Sequence, residues 1–360
     1  MSKTLTHDVH LLDGHKLYKH PDRIYQLLND PLSTFPLYVE VSPLDVCNHH
    51  CVFCGLDFIE NRGHKLHSTT LLECISEMAL SGVKSVMFAG EGEPLLHSDL
   101  PEIVDASSKV LDCAVTTNGV YLTRERLSLL RSCKWIKISV DAGDKKTYAD
   151  THGCVDSTWN TLWSNIASAI EYKRKHSLSC TIGVQALALD SNLHSLPTLA
   201  RLCASYHVDY LVIKPYSKHS KSINNLSYLG ASLSTTVLDN LESILCKESK
   251  GLTRIIVRKD CVANAGKYTR CVSVPYLWAY VSSTGDVYGC SDKLGDSQFC
   301  YGNIYEESFK NIWLGTRRRA CAKFMEEYNT RTECRPFCRM DACNRYLTSI
   351  GERGEHDNFI

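Results

Sequence analysis

The sequence carries no excess of either charge: 40 Lys and Arg stand against 40 Asp and Glu. That balance excludes the broad basic face by which proteins hold nucleic acid or anionic lipid. No apolar run approaches the roughly 18 residues that a membrane-spanning helix needs. The first 30 residues hold no apolar stretch of the kind a secretory signal requires, so the expected location is cytoplasmic. Internal repeats and low-complexity tracts are also missing. What is there is apolar matter: 44% of the 360 residues are hydrophobic, enough for a large core and for one domain or one plus a smaller one.

Cysteine is abundant, at 18 of 360. In a reducing compartment such a number points to metal or cluster ligation, or to thiols buried as small hydrophobes, rather than to disulfides. Distribution separates these. Cys47, Cys51 and Cys54 form one tight group, and Cys334, Cys338 and Cys343 another. Cys261, Cys271, Cys290, Cys300 and Cys321 lie between them at wider spacing. The remaining seven are scattered singly along the chain and read as buried apolar residues.

Hydrophobic periodicity predicts strands at 37–41, 84–89, 113–117, 135–140, 181–188 and 210–214. Helices are predicted between them at 69–80, 100–110, 124–131, 159–175 and 196–204. Six βα units in this order argue for an α/β fold with a parallel sheet and right-handed crossovers. Spacing alone leaves open a partial barrel or a doubly wound sheet. Residues 216–236 read as a linker or mobile loop, followed by a helix at 237–246. From Arg254 the chain turns short-segmented and Cys-rich, with a hairpin expected around Gly285-Asp286. The expected division is an N-terminal extension (1–36), a core (37–216), a linker and helix (217–253) and a small C-terminal domain (254–360).

Cys47-x3-Cys51-x2-Cys54 follows the first strand directly, on the face where parallel α/β folds place their active sites. Three thiolates cannot close a four-iron cluster and leave one iron open. A zinc site completed by His49 or His50 is the alternative. Gly90-Glu91-Gly92-Glu93-Pro94 ends the second strand, Thr116-Thr117-Asn118-Gly119 the third, Ser139-Val140-Asp141 the fourth and Lys214 the sixth. The Cys spacing, with Phe53 before the last Cys, and the Gly-rich turn resemble the radical S-adenosylmethionine (SAM) superfamily. The resemblance implies a partial (β/α)6 barrel of the TIM type and a [4Fe–4S] cluster whose open iron binds SAM. It implies reductive cleavage of SAM to a 5′-deoxyadenosyl radical. It also puts Phe53, Gly90, Gly92, Glu93, Pro94, Asn118 and Ser139 near that cofactor. Glu91 stands where the family's GGEP motif has its first glycine. Glu91, Asp141 and Lys214 are the candidate catalytic bases by position.

Cys271, Gly285, Cys290, Gly302-Asn303-Ile304, Trp313 and Cys334-x3-Cys338 resemble a SPASM/twitch domain. This implies an auxiliary [4Fe–4S] cluster on Cys271, Cys290, Cys334 and Cys338, with Cys343 as a spare or alternative ligand. A further cluster on Cys261, Cys300, Cys321 and Cys343, or structural zinc on the first four, are the alternatives. Arg317-Arg318-Arg319 reads as a solvated basic face, with a phosphate site as the sharper option. His7, His10, His15 and His20 read as exposed.

The resulting expectation is a radical SAM oxidoreductase or epimerase acting on a small polar substrate: a sugar, an aminocyclitol or a nucleotide sugar. The twitch form resembles that of the butirosin-pathway aminocyclitol dehydrogenase. A flavodoxin or ferredoxin-type electron donor is the expected partner, with no nucleic acid and no membrane. The alternative is a peptide- or protein-modifying SPASM enzyme. The 36 residues before the first strand are too few for a winged-helix leader-binding domain, which favours the small molecule.

Overall fold

The computed structural model describes residues 10–60, 62–224, 234–264, 267–352 and 354–359. Seven short strands lie side by side in chain order, every neighbour parallel. They are β1 (Tyr38–Val41), β2 (Ser85–Phe88), β3 (Asp112–Thr117), β4 (Cys133–Ser139), β5 (Thr181–Ala188), β6 (Tyr210–Pro215) and β7 (Arg254–Val257). A helix α1 (Pro21–Asn29) precedes them. The crossovers carry α2 (Ser68–Leu80), α3 (Leu100–Ser108), α4 (Leu129–Ser132), α5 (Lys145–His152), α6 (Ser157–Lys175), α7 (Leu196–Ser205) and α8 (Thr235–Ser249). At the other edge β8 (Trp278–Val281) runs parallel to β1, and β9 (Asp286–Tyr288) and β10 (Cys300–Asn303) continue antiparallel. The ten strands follow the order β10-β9-β8-β1-β2-β3-β4-β5-β6-β7, and the sheet does not close. The six-unit core is present, and Arg254–Val257 adds a seventh parallel strand where the sequence shows only the start of the Cys-rich segment.

The period of two along each strand sorts its residues onto two faces. Val39, Val41, Ile136, Ile138, Val184, Leu211 and Ile213 pack outward into one core with helix residues such as Ile75, Met78 and Leu199. The alternate positions, among them Glu40, Met87, Thr116, Lys137, Gln185 and Lys214, face a cavity on the inner side. Parallel strands covered on both faces are normally apolar throughout, so the polar inner row marks a site.

Three expectations are corrected. The helix expected at 124–131 is a 3-10 turn at Arg124–Arg126 and the short α4, because the buried Leu122, Leu127, Leu129 and Leu130 do not share one helical stripe. The basic run at 317–319 is not a uniformly solvated face. Arg318 is buried, donates to the carbonyls of Trp313, Pro275 and Leu32, and lies over the Trp313 ring at 4.6 Å. The loop after β6 is tied down where it is described. Asp57 accepts from Ser222 Oγ at 2.9 Å and Asn224 N at 2.8 Å, and His219 Nε2 lies 3.1 Å from the Ser291 carbonyl. Residues 225–233 of that loop lie outside the described residues. Among the described residues no helix is long and apolar enough to cross a membrane.

Candidate active site

The segment after β1 is shaped by a buried carboxylate. Asp45 accepts from Gly63 N at 3.0 Å and lies 2.8 Å from His64 Nδ1, closing a loop over residues 45–64. The loop docks on the end of α5: His50 N donates to His152 O and Val52 N to Thr151 O, both at 3.0 Å. Cys47, Cys51 and Cys54 face one another closely enough for each to influence the ionisation of another. Burial pushes all three thiols up, Cys47 to about 11. Burial does the same to the scattered Cys74, Cys113 and Cys203, so the grouping of Cys47, Cys51 and Cys54, and not their ionisation, marks them as candidate ligands. His152, which the sequence reading missed, lies with Nδ1 3.2 Å from Cys51 Sγ. Its Nε2 donates to the Val140 carbonyl at 3.0 Å and lies 3.3 Å from Asp141 Oδ2. His49 is buried with both ring nitrogens unpartnered, and burial holds its pKa down near 3, so it is neutral.

The Gly-rich turn after β2 clamps the stretch leading into the Cys loop. Glu91 N donates to Ser42 Oγ, Gly92 N to Leu44 O and Glu93 N to Val46 O. A Cβ on Gly92 would sit 2.1 Å from Val46 O, and one on Gly90, at φ +123°, 2.5 Å from Ser42 Cβ. Only glycine permits this approach. The buried Glu93 carboxylate accepts from Thr117 Oγ1 (2.5 Å), Asn118 N (2.7 Å) and Leu95 N (3.0 Å). It therefore ties β2 to β3, and the Gly90 backbone is what the turn offers to the cavity. Pro94 is buried at the start of the turn that follows, and Asn118 Nδ2 donates to Asn48 Oδ1 at 2.8 Å. Phe53 lines the cavity and meets the His152 ring edge-on at 5.5 Å. Ser139 lies opposite Gln185 on β5.

Near β8 and β9, Cys271, Cys290, Cys334 and Cys338 line one small enclosed space. Cys338 is the member held low, by the hydrogen bond from Cys334 and by Arg335 and Arg339. Cys343 is within electrostatic reach of Cys271 and Cys338. Cys300 sits on β10, and Cys321 is buried beneath the Tyr301 hydroxyl at 3.7 Å. Tetrahedral Zn–S bonds of 2.3 Å put sulfurs about 3.8 Å apart. Among the described residues the one trio of potential ligand atoms within 4.8 Å of one another is His49, Cys51 and His152. Neither Cys set is drawn in as a single zinc ion would require, whereas a cubane holds its sulfurs at separated corners. Both sets fit iron–sulfur clusters.

Between the sets the inner face of the sheet encloses a cavity of about 780 Å³. Cys54 and Gly90 lie at its edge, Cys343 and Arg339 border it from the C-terminal segment, and Lys137, Gln185, Lys214 and Arg258 come from the barrel. Of the three candidate bases, Lys214 lines this cavity. Asp141 is buried beneath it, accepting from Leu187 N at 2.6 Å. Glu91 turns to the β8–β9 hairpin, where Ser283 N lies 3.2 Å away. Burial lifts Glu91 to about 7 against those hydrogen bonds.

A family model described as the radical SAM superfamily matches residues 41–186, and one for an iron–sulfur cluster-binding SPASM domain matches residues 271–344. The chain belongs to the radical SAM superfamily. Its C-terminal part is a SPASM domain, and the cofactors of this radical SAM enzyme are SAM, a SAM-binding [4Fe–4S] cluster and an auxiliary [4Fe–4S] cluster. Among curated relatives, a probable GTP 3′,8-cyclase of Methanosarcina acetivorans is 28% identical over 152 residues, covering 41% of this chain and 45% of the relative. A GTP 3′,8-cyclase of Listeria welshimeri is 33% identical over 125 residues, covering 32% and 37%. The matches thus span about half or less of those relatives. Among solved structures, Streptococcus suis SuiB bound to S-adenosylmethionine aligns with a TM-score of 0.67 at 16% identity, over 94% of this chain and 79% of that one. Native anSMEcpe with bound AdoMet aligns at 0.61 and 17% identity, over 86% and 88%.

Several residues of this radical SAM site escaped the sequence reading: Glu40, Lys137, His152, Gln185, Arg258 and Arg339. Four lie in or just after strands, and a polar residue on an otherwise apolar parallel strand was the available signal for Glu40, Lys137 and Gln185. Arg258 follows β7, the unrecognised strand. His152 and Arg339 had no local signal, because each meets its partner only through the fold.

Proposed function

We propose that the protein oxidises a small polar substrate held in the barrel cavity, by hydrogen abstraction followed by loss of a proton and an electron. The observation that carries this reading is the cavity. Its volume falls in the range of small-molecule sites, and convergent polar groups line it. When bound, the cofactors supply a 5′-deoxyadenosyl radical at the Cys47, Cys51 and Cys54 end and an electron acceptor at the SPASM end. The chain supplies the rest. Gln185 Oε1, buried without a partner, accepts a substrate hydroxyl or amine. Lys214 takes the proton. Burial, then Lys137, Arg258 and Arg339, hold its pKa well below that of an ordinary lysine, which suits a base.

The test is turnover of the reconstituted enzyme in deuterated buffer with polyols, aminocyclitols and nucleotide sugars. The expected product is two mass units lighter than its substrate and forms with 5′-deoxyadenosine. A product of unchanged redox state carrying one solvent deuterium at carbon would make the enzyme an epimerase. Modification of peptides alone would replace the small-molecule reading.

A further inference from the structure

In a chain with no net charge, Lys and Arg side chains outnumber carboxylates seven to one around this cavity, with Glu40 the one carboxylate among the described residues. Part of the excess is already committed. Arg339 pairs with Glu40, Arg335 lies 3.6 Å from Asp292, and both arginines flank the thiol of Cys338. Lys16 and Lys84 are exposed. Lys137 on β4, Lys214 on β6 and Arg258 after β7 remain. None of the three makes an ion pair within 4.0 Å among the described residues, and Arg258 Nε is buried without a hydrogen-bond partner. Asp13, which influences Arg258, already takes the N–H groups of Lys259 and Asp260 at 3.0–3.2 Å.

We propose that the substrate carries a phosphoryl group, and that Lys137 and Arg258 hold it on the inner face of β4–β7. This deepens the small-substrate reading and rests on it. Buried unpaired cations are costly and are retained where an anion completes them. A guanidinium fork beside an ammonium matches the separated oxygens of a phosphoryl group. Lys214 plays a different part. Lys137 and Lys214 each act on the other's ionisation, and burial, then the neighbouring cations, hold Lys214 well below an ordinary lysine, so that it is the one that can stand as a free amine. The charge for the phosphoryl group and the free amine for the proton are thus held side by side. The unpartnered Trp278 Nε1–H on the opposite wall is a further donor for the substrate.

The experiment is equilibrium binding to the reconstituted holoenzyme with SAM present and no turnover, using inorganic phosphate, glycerol 3-phosphate, malonate and glycerol as probes. The expected order is glycerol 3-phosphate above phosphate, malonate weaker and glycerol undetected. Lys137→Gln and Arg258→Gln should each weaken glycerol 3-phosphate about tenfold, the loss of roughly 1.4 kcal/mol. Lys137→Arg, which keeps the charge, should weaken it less. Iron content shows whether each variant is folded. Equal binding to wild type and to both Gln variants, or no phosphate binding at all, overturns the proposal. Malonate binding more tightly than glycerol 3-phosphate would overturn it in favour of a dicarboxylate. Failure here leaves the deuterium test of oxidation untouched, and failure of that test leaves phosphoryl binding measurable.

Discussion

Lys214 and Lys137 reach toward each other from β4 and β6, and their different electrostatic states give separate predictions. Lys214→Arg puts a permanent cation in place of the free amine and removes a usable base. Formation of 5′-deoxyadenosine should persist while oxidised product falls by about 100-fold or more, checked by quantifying both in one assay. Lys137 is held near 8 by burial first and by Arg339 and Arg258 next, with Glu40 opposing. It is charged below that value and neutral above it. Binding of glycerol 3-phosphate should therefore weaken as pH rises from 7 to 9, and Lys137→Arg should flatten this dependence. Glu91 behaves in the opposite sense. Its folded pKa, about 7, stands above the ordinary 4.5, so its contribution to stability is complete below 4.5 and is lost as pH rises to about 7. Thermal melts from pH 4.5 to 7.5 should show Glu91→Gln losing that part of the slope.

At the scale of elements, the turn after β2 acts as a clasp. Its glycines let it lie against Leu44–Val46, and Glu93 anchors it to β3. Glu93→Ala should leave the buried Thr117 hydroxyl and Asn118 N–H without an acceptor, at about 1–3 kcal/mol for each group. The expected result is a clear drop in melting temperature. Gly92→Ala should instead push the Val46 backbone away and loosen the Cys loop. Iron at the first cluster should fall, read by iron analysis in a background lacking the SPASM cysteines. The strand–helix alternation of this core was legible from period-two apolar runs, and β5 was legible to the residue. β7 was not. Four residues of strand followed by a helix of only four residues, Asp260–Ala263, carry too little pattern, and pairing with β6 decides their state.

At the scale of the molecule, the SPASM hairpin extends the barrel sheet from β1, so the two cluster sites flank one cavity. The reconstituted protein should hold about eight irons per chain, as two four-iron clusters. Replacing Cys47, Cys51 and Cys54 by Ala should leave about four irons and abolish SAM cleavage. Replacing Cys271, Cys290, Cys334 and Cys338 should also leave about four. Iron near twelve would restore Cys261, Cys300, Cys321 and Cys343 as ligands of a third cluster, and stoichiometric zinc would refute the cluster assignment at the SPASM end.

The sequence by itself determined the family, the parallel core and the two Cys sets, because each rests on local spacing: three thiols in eight residues, glycines at a strand end, apolar residues every second position. Tertiary structure alone decided which charges share the cavity. Glu40 and Arg339 are 299 residues apart and meet only because the SPASM segment folds back over β1. Lys137, Lys214 and Arg258 converge only because β4, β6 and β7 expose the same face. That none of the three has a carboxylate within 4.0 Å among the described residues is a property of the enclosure, and no single strand contains that information.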